Sequence, residues 1–253
     1  MYGLLHVDPK ADGYHQNGRI RLGGTALQPS GQWDDFLPTA ELQALYMEPS
    51  ACVTFTTLNA VEVLERKIFG QANNWSDRFL ANISGTQPLG NDPHTVAETL
   101  RKKGVVFEQD WPYTPDINTW AKYYATIPFD IETQGQVKFR GKYAFGHQWV
   151  GTDPTSMKLA LQQSPLGVDV DAWPLKDENG LYHRNRPSNH YCLVYGYNPG
   201  RYWKVFDTYD HTHKKLTWDY GFSMVKQYTL DKVVLDNSLW AIAIRWLRAR
   251  MGL

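Results

Sequence analysis

Cys52, His190 and Asp207 are the residues of this chain whose types and order could perform covalent chemistry. Cys52 follows Pro49-Ser50-Ala51 and opens the strongest helical pattern in the sequence, with Phe55, Leu58, Val61, Leu64 and Ile68 at spacings of three and four before Gly70. Ser50 is the expected N-cap of that helix. The unpartnered N–H groups of a first turn, together with the helix dipole, favour a negative charge, so a thiolate is favoured at Cys52. A neighbouring imidazolium is the second standard means of bringing a thiol pKa down from about 8.5. His190 opens the strand-like run Asn189-His190-Tyr191-Cys192-Leu193, and Asp207 closes Lys204-Val205-Phe206-Asp207. Pairing of these two runs through the turn at Asn198-Pro199-Gly200 puts His190 and Asp207 at the same end of neighbouring strands. Nucleophile, base and orienting carboxylate then converge.

The elements that must hold this constellation are legible in outline. Residues 1–39 are polar and rich in Gly and Pro and read as an extended arm. Residues 40–125 carry the nucleophile helix and a second helical pattern from Pro93 to Lys103, stopped by Gly104; a third pattern spans Thr155 to Gln163. Within residues 126–253, Leu166–Val170, Tyr191–Tyr197, Tyr202–Phe206 and Leu239–Trp246 are short, β-branched and aromatic, and read as strands. Helices early and strands late predict an α+β chain, a helical lobe facing a β-rich lobe with a cleft at the join.

Composition excludes several classes. Charges balance at 26 basic and 26 acidic residues, which removes the electrostatic footprint of a nucleic-acid binder. Arg245, Arg248 and Arg250 read as a solvated face. The apolar run Leu239–Ile244 is far short of the roughly twenty residues that cross a bilayer, so no membrane partner is expected. The N-terminal residues lack a secretory pattern, which predicts an intracellular or particle-associated protein. Two cysteines, Cys52 and Cys192, exclude a disulfide-dense scaffold. Cys192 lies mid-strand among apolar neighbours and reads as core. His211 and His213, with His190 and Cys192, lack any established metal-ligand spacing, so neither a metal nor another cofactor is expected.

Taken in order, these motifs resemble the papain-like cysteine peptidases. Cys52 and His190 are 138 residues apart, within the roughly 130–150 of that family, and Asp207 falls slightly beyond. Glu62 stands where the family places a buried glutamate. Gly104-Val105-Val106-Phe107-Glu108 through Trp111-Pro112-Tyr113 is similar to its Gly-Val, Glu, Tyr-Pro-Tyr stretch. Pro165-Leu166-Gly167-Val168-Asp169-Val170 resembles its Gly-Pro-Val-Ser-Val strand, and Gly180-Leu181-Tyr182 its Gly-Ile-Tyr. Asn189-His190-Tyr191-Cys192-Leu193-Val194-Tyr195-Gly196-Tyr197 matches its Asn-His strand, and Trp218-Asp219-Tyr220-Gly221-Phe222 its Trp-Gly-Glu-Asn-Gly-Tyr. The likeness covers residues 33 to 225.

The resemblance implies a papain-like two-lobed fold, with an antiparallel barrel-like second lobe, and hydrolysis of peptide or protein substrates through a thioester on Cys52. It makes His190 the base, Asp207 the orienting group and Asn189 part of the substrate pocket; Trp173 and Tyr209, which stand near these motifs, are candidate substrate contacts. The chain departs from the family in several places. Ala51-Cys52-Val53 replaces the Ser-Cys-Trp of the signature, so its disulfide and tryptophan are missing, which fits a reducing compartment. Asp207 replaces the usual Asn; a carboxylate stabilises the protonated ring and moves the working pH window upward. Tyr46 occupies the position of the glutamine that donates to the oxyanion, and Gln43 can take that role only across a loop longer by three residues. These departures keep a second reading open: a catalytically relaxed module with a structural or binding role in a larger assembly such as a viral particle, meeting its partners through the N-terminal arm or the C-terminal tail. Transfer of the acyl group to an amine instead of water is a third.

Overall fold

The computed structural model describes residues 3–11, 26–210 and 212–233. Helix α1 (Cys52–Phe69) runs through the middle of the molecule, and its residues are buried from Cys52 to Glu65. A helix buried all round has little need of an amphipathic stripe, and α1 carries Thr54, Thr56 and Thr57 as readily as Leu58 and Val61. Two of the hydroxyls find a carbonyl, Thr57 donating to Val53 O at 2.8 Å and Thr56 to Tyr191 O at 2.9 Å, while that of Thr54 is buried without a hydrogen-bond partner. Gly70 ends α1 in the left-handed conformation, φ 64°.

The N-cap differs from expectation. Ala51 occupies that position without a side-chain bond, while Ser50 adopts φ 55° and donates its hydroxyl to Pro88 O at 2.9 Å. The serine is spent on joining the chain before α1 to the loop before α3. Helix α2 (Asp77–Ile83) is capped by Ser76, and α3 (Pro93–Lys103) by the Asp92 carboxylate, with Gly104 closing it as its sequence predicts. The short α4 (Trp120–Tyr123) and α5 (Phe129–Gly135) precede the sheet, and α6 (Pro154–Leu161) overlaps the predicted third helix, beginning one residue earlier and ending two earlier.

Six antiparallel strands form one sheet: β1 (Tyr143–Trp149), β2 (Leu166–Val170), β3 (His190–Asn198), β4 (Tyr202–Phe206), β5 (Lys214–Thr217) and β6 (Val225–Lys232), in the order β1-β6-β2-β3-β4-β5. The predicted strand at Leu239–Trp246 and the arginines beyond it lie outside the described residues. β3 and β4 pair as expected through the turn at residues 198–201, but not in a single register. Asn198 faces Tyr202 and Gly196 faces Lys204, after which Val194 faces Val205, so Tyr195 is an extra residue on β3. Because successive residues alternate faces, one extra residue reverses the facing of everything beyond it.

The second half of the arm is built into the core. Trp33 is fully buried, donates its indole N–H to Leu161 O at 2.8 Å, and accepts a place beside β3 through its backbone bond to Tyr195 O.

Candidate active site

The bulge at Tyr195 decides which groups meet. Beyond it Leu193 faces Phe206, and continuing that register by one step puts Asp207 opposite Cys192, hence on the face His190 also uses. In an unbroken register, with Tyr195 facing Val205, Asp207 would fall opposite Leu193, on the other face. The result is a hydrogen bond of 2.7 Å between His190 Nε2 and Asp207 Oδ1, both side chains buried. With Nε2 on the carboxylate, Nδ1 is the ring nitrogen turned away from it.

Asp207 is held from three further directions. Its second oxygen accepts the Trp173 indole N–H at 2.8 Å and pairs with Lys214 Nζ at 2.8 Å, and Oδ1 also accepts Thr208 N–H at 2.8 Å. Burial alone would raise this carboxyl, but His190 and Lys214 outweigh it and hold it far below the usual carboxylate range. Lys214 is itself 2% exposed, also pairs with Asp210 at 2.8 Å, and lies over the Trp173 ring. Sequence reasoning missed Lys214. It opens β5, and nothing in its neighbourhood along the chain shows that the β4–β5 pairing, Val205 facing Lys214, would deliver an ammonium to the carboxylate.

Cys52 is the first residue of α1 and fully buried. It takes a backbone hydrogen bond from Tyr191, the residue after His190, and Thr56 one turn on donates to the carbonyl of the same residue. The start of α1 and the start of β3 are thus locked together at one residue. Burial pushes the Cys52 thiol up strongly; the Tyr191 bond opposes it, while the charges of Glu48 and Asp207 add to the rise. The helix N-terminus therefore does not prevail over desolvation in this closed arrangement.

Gln43 is brought to the same place. Its backbone N–H donates to Thr208 O at 2.9 Å and its side-chain carbonyl accepts Thr208 Oγ1 at 2.9 Å. The amide nitrogen donates to Tyr209 OH at 2.8 Å and to Glu48 Oε1 at 3.2 Å. A glutamine has two amide hydrogens, and both are engaged within the chain. Tyr209 in turn donates to Glu48 and packs edge-on against the His190 ring. Asn189 is half-buried and accepts Ala172 N–H at 2.9 Å, and Trp173 meets His190 edge-on while bonding Asp207. Cys192 is buried in the core, as its setting predicts. His213 bonds Tyr195 OH at 2.7 Å, and His211 lies outside the described residues.

The first residues of the chain cross this junction. Leu4 forms a parallel bridge with Asn91, where Leu5 N–H donates to Asn91 O and Asn91 N–H to Gly3 O, each at 3.0 Å. A Cβ on Gly3 would overlap the Ser50 carbonyl, and one on Gly90 would overlap the Gly3 carbonyl. His6 Nε2 then donates to Ser188 O at 2.8 Å. Ser50 is two residues before Cys52 and Ser188 two before His190, so residues 3–6 bridge the mouths of the two elements that carry them.

Comparison with known proteins agrees with this architecture. No protein-family model matches the chain, and no curated protein matches its sequence. Solved structures do match. Digestive procathepsin L 3 of Tenebrio molitor larval midgut superposes with a TM-score of 0.61 at 18% identity, over 86% of this chain and 75% of that one. The ragweed pollen cysteine protease Amb a 11 in its proform gives 0.57 at 16% identity, over 85% and 69%. Bromelain from Ananas comosus, in complex with the E64 inhibitor, gives 0.57 at 18% identity, over 79% and 98%. The fold is that of the papain-like cysteine proteases, and the α+β class expected from the sequence is the one observed.

Proposed function

We propose that this chain is a cysteine peptidase of papain-like type, acting on peptide or protein substrates through Cys52, His190 and Asp207. The observation that carries the reading is the 2.7 Å His190–Asp207 pair, set beside a helix whose first residue, Cys52, is hydrogen-bonded by the neighbour of that histidine. Asp207 fixes the imidazole with Nδ1 turned away, so that Nδ1 exchanges the proton of the thiol. The Cys52 sulfur adds to the amide carbonyl carbon, and the imidazolium gives its proton to the nitrogen as the C–N bond breaks and the amine leaves. Water, deprotonated by the same imidazole, then displaces the sulfur from the thioester, releasing a carboxylic acid and restoring the thiol. The Cys52 N–H, one of the four at the start of α1 without an intrahelical acceptor, serves the oxyanion. Gln43 supplies the second donor once its amide is released from Glu48 and Tyr209. Residues 3–6 must leave the junction first, and their departure is also what admits water and lowers the thiol pKa. Asn189 borders the substrate pocket, and Trp173 shields and orients Asp207.

Limiting iodoacetamide across pH 5–8, with the label mapped by mass spectrometry, tests the pairing. Cys52 should be modified ahead of Cys192 at the acid end, and His190→Ala should abolish that preference. Peptide hydrolysis should vanish in Cys52→Ala. Equal labelling of both thiols, unaffected by His190→Ala, sinks the assignment.

A further inference from the structure

A cavity of about 320 Å³ is walled in part by the residues on either side of Gln43, and no step of the proposed chemistry uses it. Its wall carries three carboxyl groups, Glu41, Asp77 and Glu108, together with Leu42, Phe55 and Tyr113. Asp77 is 6% exposed, and its Oδ1 is buried without a hydrogen-bond partner. The fully buried Tyr123 hydroxyl, close enough to Asp77 to interact with its charge, likewise has no hydrogen-bond partner. A buried carboxyl oxygen left without a partner is costly, and the side chain that carries it is part of the cavity wall.

The cations nearby do not fill that space. Arg78 spends its guanidinium on the carbonyls of Tyr123, Pro112 and Lys122 and stacks on Trp111. Arg66 donates to Leu37 O. Among the described residues no Lys or Arg lines the cavity. The groups facing Asp77 from the elements around it are Glu41, from the segment before α1, Glu62, from α1, and Glu108, after α3. Burial first, and these carboxyls second, hold Asp77 well above its ordinary range, while Glu108 is pushed up to about 7 by burial.

We propose that this cavity is a binding site for a small organic cation, an alkylammonium or alkylguanidinium, whose charged end reaches Asp77 and whose alkyl chain lies along Leu42, Phe55 and Tyr113. An organic cation fits better than a metal ion, since among the described residues no three acidic, histidine or cysteine side chains are grouped to hold one, and the apolar and aromatic half of the wall offers dispersion and cation–π contact instead. Binding expels the protons that the crowded carboxyls share, so affinity rises with pH. The site stands independently of the peptidase reading.

Calorimetric titration of the full chain with agmatine tests it. One molecule should bind, more tightly at pH 8 than at pH 5, with proton release visible as a heat that depends on the buffer. Asp77→Asn should weaken binding by about tenfold, the least that loss of a hydrogen bond to a charged group predicts. Leu45→Trp, at the exposed rim, and Glu41→Gln, on a half-exposed side chain, leave the buried packing intact and should weaken it too. Binding that is unchanged in Leu45→Trp and Glu41→Gln, or matched by 1-butanol, overturns the proposal, as does the absence of any agmatine heat at pH 8.

Discussion

At the scale of single residues, the carboxylate at position 207 does more than an asparagine would. It serves two partners: the His190 ring on one oxygen and the Lys214 ammonium on the other. Lys214 therefore acts on the reaction through Asp207, as a positioning residue, by drawing off part of the negative charge that would otherwise fall wholly on the imidazole. Lys214→Met should destabilise the fold by about 3 kcal/mol, the usual effect of breaking a buried pair, measured by urea unfolding at pH 7. It should also shift the alkaline limb of Cys52 alkylation to higher pH, because the carboxylate then stabilises the imidazolium alone. A purely structural lysine would change the first measurement and leave the second where it was.

At the scale of elements, the decisive contact is between a strand of arm and a turn. Gly3 lies between Ser50 on one side and Gly90 on the other, so that a Cβ on Gly3 would overlap the Ser50 backbone and one on Gly90 the Gly3 backbone. Gly90→Ala should detach the arm, at some cost in stability from the alanine at φ 104°. Cys52 should then alkylate faster by about tenfold or more, the change that 1.4 kcal/mol of arm docking predicts. Labelling of Cys192 in the same digest controls for general loosening, and a rise shared equally by both thiols would show that the arm does not guard the site. This scale is also where the sequence was most readable. The turn at Asn198-Pro199-Gly200, the helix starting at Cys52 and the Pro93–Lys103 helix all carry local signals, which suffice to predict that His190 and Asp207 meet. β1 and β6 were not readable, because they bury polar side chains that find partners only across the sheet or from another element. Gln148 pairs with Gln227 at 2.7 Å, His147 with Glu98 at 2.9 Å, and Lys226 sits over the Trp149 ring. Each breaks the alternation on which a strand is recognised. The arm reads as extended from its composition, but its crossing at Ser50 and Ser188 depends on backbone pairing with Asn91, which no side-chain pattern encodes.

At the scale of the whole molecule, two sets of buried carboxyls pull stability in opposite directions with pH. Asp207 is depressed on folding, so its contribution is present above the unfolded carboxyl pKa of about 4 and is lost as pH falls toward its folded value. Glu62, Asp77 and Glu108 are raised on folding. Their contribution is complete below about pH 4, where both states are protonated, and is lost as pH rises; for Glu108 the loss is complete only beyond about 7. Urea midpoints should therefore fall between pH 5 and pH 8. Glu108→Gln, which cannot ionise, should flatten that fall by up to about 3 kcal/mol; an unchanged difference between the two pH values would show that Glu108 ionises freely in the folded protein.

The extra residue in β3 reaches further than the hairpin that contains it. Lengthening or shortening the exposed loop at residues 199–200 moves only the tip, and homologous chains can drift there without penalty. Straightening β3 at unchanged length, with Tyr195 facing Val205, would set Asp207 opposite Leu193 and send the carboxylate to the wrong side of the sheet, whereas deleting Tyr195 leaves it opposite Cys192. The site therefore depends on the shifted register and not on the additional amino acid itself, so a chain one residue shorter at position 195 should keep the pair that an unkinked strand of the present length would lose.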